Sequence, residues 1–203
     1  MLQCRNLTFH YQGRAVLDGI NFDLPAGRWN LTGANGSGKS TLLKLLAGVL
    51  EPDAGQIELA GVNLSSDPEA AKRRIGYLPD QARAYPGMTP CELWRMVAEL
   101  RGGDAQAAVA HALRYGLADF IDRPLDKLSF GTGRKCFLVA AWIGDPLVLL
   151  LDEPSDGLDA ASVRQLKADL AALPEDRLAL VANHDQSLAA VLQPLSWPVG
   201  VGA

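Results

Sequence analysis

The sequence predicts an α/β fold: a mainly parallel core sheet flanked by helices, with a helical subdomain inserted between core strands. Three observations carry this reading. A glycine-rich run, 33–41, lies between a short strand and a helix. Two apolar runs, 147–151 and 178–182, read as strands buried on both faces, the mark of a parallel sheet. Strands otherwise alternate with helices, except over 89–145, which is almost purely helical.

Taken in order, 2–9 and 15–24 are strand-like, punctuated by Gly13 and Asp18-Gly19. Pro25-Ala26-Gly27 is a turn, 29–32 a short strand, and 39–48 a helix closed by Gly48. Segments 56–59 and 75–78 read as strands, the second ending at Pro79. Helical spacing of apolar residues marks 92–100 and 105–115, a further helix starts over 131–143, and 161–173 is amphipathic. The tail, 194–203, holds two prolines and two glycines and is left unassigned.

A chain of 203 residues suits one large domain, or one with a small subdomain, and can bury a sizeable core. The net charge of −4, from 19 basic and 23 acidic residues, with the basic ones dispersed, argues against a general nucleic-acid binder. Cys4, Cys91 and Cys136 are too far apart for a disulfide framework or metal motif and suit a reducing compartment. The N-terminal stretch has no long apolar run, and no segment is long enough to span a bilayer, so action at a membrane would require recruitment by a partner.

The run Gly33, Ala34, Asn35, Gly36, Ser37, Gly38, Lys39, Ser40, Thr41 fits the P-loop pattern in full. Its glycines let successive backbone N–H groups point at phosphate oxygens, and the following helix adds its positive dipole end. Lys39 is placed for the β- and γ-phosphates and the Ser40 hydroxyl for Mg²⁺. Asp152 closes the apolar run 147–151, where a second Mg²⁺-organising carboxylate belongs. Glu153 follows, and two adjacent carboxylates at a strand's end point different ways: one can serve the metal, the other polarise the attacking water.

With these motifs in place, the chain resembles the ATP-binding subunit of ABC transporters from about residue 2 to residue 188. Tyr11 resembles the aromatic that stacks on adenine. Leu128-Ser129-Phe130-Gly131-Thr132 resembles the family signature, Leu149 to Pro154 the Walker B segment, Ser155 to Asp159 the D-loop, and His184 the switch histidine. The resemblance implies a single domain over 1–203: a P-loop NTPase (RecA-like) core, an N-terminal antiparallel β subdomain and a helical subdomain at 89–145. It implies ATP and Mg²⁺ as ligands, with Ser40, Asp80 and Asp152 at the metal. Glu153 and His184 would be catalytic. Tyr11, the P-loop, Ser129, Gly131 and Asp159 would bind nucleotide. Two such subunits would dimerise head to tail, each ATP lying between one P-loop and the other signature, with Ser129 donating to the γ-phosphate. The subunit would lie in the cytoplasm on the inner face of the cell membrane and drive a separate permease.

Several residues depart from the family pattern. Asp80 stands where a neutral glutamine is usual, with Gln81 one residue later. Phe130 replaces the first signature glycine and Thr132 the usual glutamine. The strand before the P-loop looks one residue short and carries polar Asn30, and the tail is expected to lack the strand and helical appendage of longer members. Asp80 together with Tyr85-Pro86-Gly87-Met88-Thr89 resembles exporter-type subunits. The alternative is a soluble ABC-type ATPase acting on nucleic acid or ribosomes, which usually has tandem cassettes or long insertions. A P-loop kinase or GTPase predicts neither the signature nor His184, and a non-hydrolysing module would need neither Glu153 nor His184.

Overall fold

The computed structural model describes residues Met1–Trp197. Strands β1 (Leu2–Tyr11), β2 (Arg14–Leu24), β4 (Ala54–Leu59) and β5 (Val62–Asn63) form an antiparallel sheet in the order β2-β1-β4-β5. A second sheet is wholly parallel. Its order is β6 (Ile75–Leu78), β7 (Val148–Asp152), β8 (Leu178–Ala182), β3 (Gly27–Thr32) and β9 (Gln193–Ser196). Helix α1 (Lys39–Leu46) follows β3, α2 (Pro68–Arg73) precedes β6, and α3 (Pro90–Arg101), α4 (Ala105–Arg114) and α5 (Phe130–Trp142) fill the stretch between β6 and β7. Helix α6 (Ala160–Ala171) joins β7 to β8, and the short α7 (Gln186–Ala189) leads into β9. Among the described residues no helix is long and apolar enough to cross a membrane.

The apolar strands are explained by a core on each face of the parallel sheet. Val148 and Leu150 of β7 face α1 and the antiparallel sheet, packing with Leu42, Leu46, Phe22 and Ile57. Leu149 and Leu151 face the helices, packing with Trp94, Leu138, Leu166 and Leu170. The helical stretch therefore has no core of its own. Trp94 is fully buried and donates its indole N–H to the Cys136 carbonyl at 2.9 Å, tying α3 to α5. Burial pushes the Cys4 and Cys136 thiols up to about 12, so both stay protonated.

A polar knot links α4 to α6. Asp169 is 5% exposed, with His111 Nε2 at 2.8 Å and Arg114 at 3.0 Å. Tyr115 donates to it at 2.7 Å and Gln165 at 2.8 Å. Burial alone would raise the Asp169 pKa, but the hydrogen bonds from His111 and Tyr115 outweigh it and hold the carboxyl below its ordinary range.

The structure adds to the sequence reading and corrects it at the tail. The tail is not free of strand: β9 pairs in parallel with β3 from Trp29↔Gln193 to Thr32↔Ser196, and the remaining tail lies outside the described residues. The strand before the P-loop occupies the whole interval from Gly27 to Thr32 as β3. Asn30 is buried in it, paired in register with Val181 on the helical face, and its Oδ1 takes no hydrogen bond among the described residues. The elements α2, β5 and α7 were not anticipated. Helix α2 carries a readable start, with Asp67 accepting from the Ala70 N–H and Pro68 in the first turn.

Candidate active site

The parallel strands β3, β7 and β8 deliver Gly33, Asp152 and Asn183 to the same edge of the sheet, Asp152 as the last residue of β7 and the other two just beyond their strands. There a cavity of about 710 Å³ is lined by Tyr11, Arg14, residues 35–41, Glu153 and His184. Gly36 and Gly38 adopt φ of 77° and 92°, left-handed conformations that curl the loop. Helix α1 has no side-chain cap at Gly38, which leaves its first N–H groups for an anion. Lys39 is buried and folds back, its Nζ donating to the Gly33 and Ala34 carbonyls at 2.8 and 3.0 Å. These carbonyls hold the ammonium within the loop.

Glu153 has φ of 46°, unusual for a residue with a side chain, and its N–H donates to the Ala182 carbonyl at 2.8 Å. The carboxylate accepts from the His184 N–H at 3.3 Å, and the His184 ring Nε2 lies 3.3 Å from its other oxygen. Burial raises the Glu153 pKa, opposed by His184, which makes it a stronger base than a surface carboxylate. Asn183, 4% exposed, presents His184: its Oδ1 accepts from the Asp185 N–H at 3.0 Å and the Ser155 hydroxyl at 3.2 Å.

Asp152 is 1% exposed, and its Oδ2 has no hydrogen-bond partner among the described residues. Burial raises its pKa, while the Ser40 hydroxyl beside it pulls the other way. A dry, unpaired carboxylate oxygen next to a hydroxyl suits a small hard cation such as Mg²⁺. Among the described residues no three His, Cys, Asp or Glu side chains converge as a metal site. A Mg²⁺ held by Asp152 and Ser40 would therefore take most of its other ligands from phosphate oxygens and water.

The other expected site residues lie apart from this cavity. Asp80 is close enough to raise the Asp152 pKa, but it lines a separate cavity of about 560 Å³ with Gln81, Leu125, Ser129, Phe130 and Phe137. Ser129 caps α5, accepting from the Thr132 N–H at 3.2 Å, with the two hydroxyl oxygens 2.8 Å apart. Gly131 packs so tightly on the D-loop that a Cβ would lie 2.2 Å from the Gly157 carbonyl oxygen. Phe130 covers Gly157 yet is 67% exposed. Asp159 is committed within the chain: it caps α6 through the Ser162 N–H at 2.8 Å and pairs with Lys135 at 2.5 Å, which holds its pKa far below the ordinary range.

Arg134 and Arg14 escaped the sequence reading. Arg134, 3% exposed on α5, donates to the Pro79 and Glu153 carbonyls at 2.7 Å and also to those of Asp80 and Asp152. One guanidinium thus ties the signature helix to the ends of β6 and β7. Its signal was a single basic residue five positions after Ser129, which no local pattern distinguishes. Arg14 adds a cation to the cavity beside the P-loop.

Comparison with known proteins gives this geometry a family. Residues 17–156 match the model of the ABC transporter family. The chain is 34% identical over 192 residues to ATP-binding cassette sub-family A member 7 of Rattus norvegicus, covering 91% of this chain but 9% of that protein. It is 38% identical over 162 residues to a Nod factor export ATP-binding protein of Burkholderia lata, covering 76% and 53%. A zinc uptake ATP-binding protein of Listeria innocua is 30% identical over 199 residues, covering 91% and 77%. The chain thus spans only part of several of its curated relatives. A solved ATP-binding subunit of an ABC transporter superposes with a TM-score of 0.87 at 25% identity, covering 97% of this chain and 85% of that one. Family model, relatives, fold and the P-loop, Walker B and signature placements agree: the chain belongs to the ABC transporter family, as one of its nucleotide-binding domains.

Proposed function

We propose that this chain hydrolyses ATP as the motor subunit of a membrane transporter, paired with a second nucleotide-binding subunit and a separate permease. The observation that carries the hydrolytic reading is Glu153, strained, half-buried and braced by His184 at the mouth of the P-loop cavity. The loop N–H groups and Lys39 hold the triphosphate, Lys39 exchanging two carbonyls for phosphate oxygens. Asp152 and Ser40 would hold Mg²⁺, which when bound neutralises phosphate charge. Glu153 takes a proton from the attacking water, and His184 holds that carboxylate and faces the γ-phosphate.

The second subunit completes the site. Its Ser129 hydroxyl and the N-terminus of α5 are directed to the γ-phosphate, and the D-loop at Asp159 follows through its contact with the signature. ATP favours the closed pair over the open one, and that difference in affinity supplies the work delivered to the permease. The permease docks in the groove beside 80–93, whose cavity is lined by Asp80, Ala84, Leu128 and Phe137. Asp80 and the segment Tyr85 to Thr89 favour the export direction.

Glu153→Gln tests the reading. ATP affinity should be retained while kcat falls at least about 100-fold, as for loss of a general base. Unchanged turnover in the purified dimer would remove Glu153 from the mechanism.

A further inference from the structure

The final strand brings a side chain to the back of the phosphate loop. Trp197 directly follows β9, is 4% exposed, and donates its indole N–H to the Ser37 carbonyl at 2.7 Å. Its own N–H donates to the Thr32 carbonyl at 2.6 Å, at the end of the strand that leads into the loop. Its ring packs edge-on against Phe22, with centroids 6.2 Å apart at 84°. Gly33 records the same closeness, since a Cβ there would lie 2.5 Å from the Trp197 carbonyl oxygen.

We infer that Trp197 is a positioning residue for the phosphate cradle, acting through the Ser37 carbonyl; this rests on the proposed ATP binding. A trans peptide is planar, so the carbonyl of one residue and the N–H of the next point in opposite directions. Holding the Ser37 carbonyl toward the indole turns the Gly38 N–H the other way. Gly38 lines the nucleotide cavity, takes φ of 92° and heads α1 without a cap. Being a glycine in an open conformation, it has little intrinsic preference for one peptide orientation. The indole supplies that preference. The Thr32 and Gly33 contacts fix the other end of the loop, so one residue braces both sides of the cradle.

Two variants separate the hydrogen bond from packing: Trp197→Phe, and incorporation of 3-benzothienylalanine at 197, which keeps the shape of tryptophan but carries sulfur in place of the N–H. The probes are a methylanthraniloyl ATP, read by fluorescence with and without Mg²⁺, and the steady-state ATPase of the dimer. Both variants should raise Kd and KM about five- to tenfold with kcat within twofold of wild type, the pattern of lost uniform binding. Thermal melts report folding independently, and the benzothienyl variant preserves the core if the phenylalanine variant does not fold. Wild-type Kd in folded benzothienyl protein would overturn the inference while leaving the proposed function intact. Failure of the wild-type chain to bind ATP would overturn both.

Discussion

Replacing Arg134 with methionine removes a buried cation and takes one donor from each of four carbonyl groups, of which that of Glu153 keeps the Asp156 N–H. A net hydrogen bond to a charged group contributes about 1.5–3 kcal/mol. Simple addition overstates the loss, because burying the guanidinium itself costs several kcal/mol and methionine repacks part of the space. Breaking one buried charged network costs about 3–5 kcal/mol in comparable cases. The loss here belongs in that range, because Asp80, Asp152, Glu153 and Asp156 also lose a countercharge. At about 2–4 °C per kcal/mol for a domain of this size, the melting temperature should fall by about 6–20 °C. Arg134→Lys keeps the charge but cannot span four acceptors with a planar fork, so it should recover less than half of the difference. Urea unfolding of both variants at neutral pH measures it. A loss below about 1 kcal/mol for the methionine variant would mean that water satisfies these carbonyls readily, and would refute the view of Arg134 as the tie between α5 and the strand ends.

Two further outcomes follow from packing and charge. Asp169→Asn replaces a carboxylate facing donors on every side, and should lower stability by about 1.5–3 kcal/mol at neutral pH. Because the folded carboxyl titrates below the unfolded one, its contribution is full above about pH 4 and is lost as pH falls through the folded value; the difference between variant and wild type should shrink on acidification. A difference that stays constant from pH 7 to pH 3 would remove charge from the explanation. Gly131→Ala puts a Cβ against a backbone oxygen that no rotamer change can clear, and should cost about 1–3 kcal/mol and depress ATPase activity. A variant with wild-type melting and turnover would show that the two loops separate at no cost.

What was legible in the sequence is what local chemistry dictates. The P-loop needs its glycines and lysine in one run, and β7 announces itself by five apolar residues ahead of two carboxylates. Residues whose task depends on distant partners are not legible in that way. Asp159 reads as a site residue in its motif, yet within this chain it caps α6 and holds Lys135. Arg134 and Trp197 look ordinary because the acceptors of the first lie 18 to 55 residues away and that of the second 160. Strand β9 carries Pro194 and is followed directly by Trp197, so its pairing follows from an open edge on β3 and not from its own pattern. Asp80 marks the edge of what motif matching can convey: it follows β6, and the cavity it lines is shared with Ser129 and Phe130 and not with the P-loop.

The two cores on β7 have a consequence for the division of labour between its carboxylates. Residues of even number, Val148 and Leu150, look toward α1, and Asp152 continues that parity to the side where Ser40 waits. Odd residues, Leu149 and Leu151, look toward the helices, and Glu153 breaks the alternation with its left-handed turn toward His184. With both faces of the strand dry, a frameshift by one residue has no solvent-facing side on which to be absorbed. Deleting a single leucine from this run would exchange the two faces and carry the carboxylate beside Ser40 to the wrong one, although both carboxylates would still be present. The phase of an apolar run, set by side chains that never meet the nucleotide, assigns each acid its place.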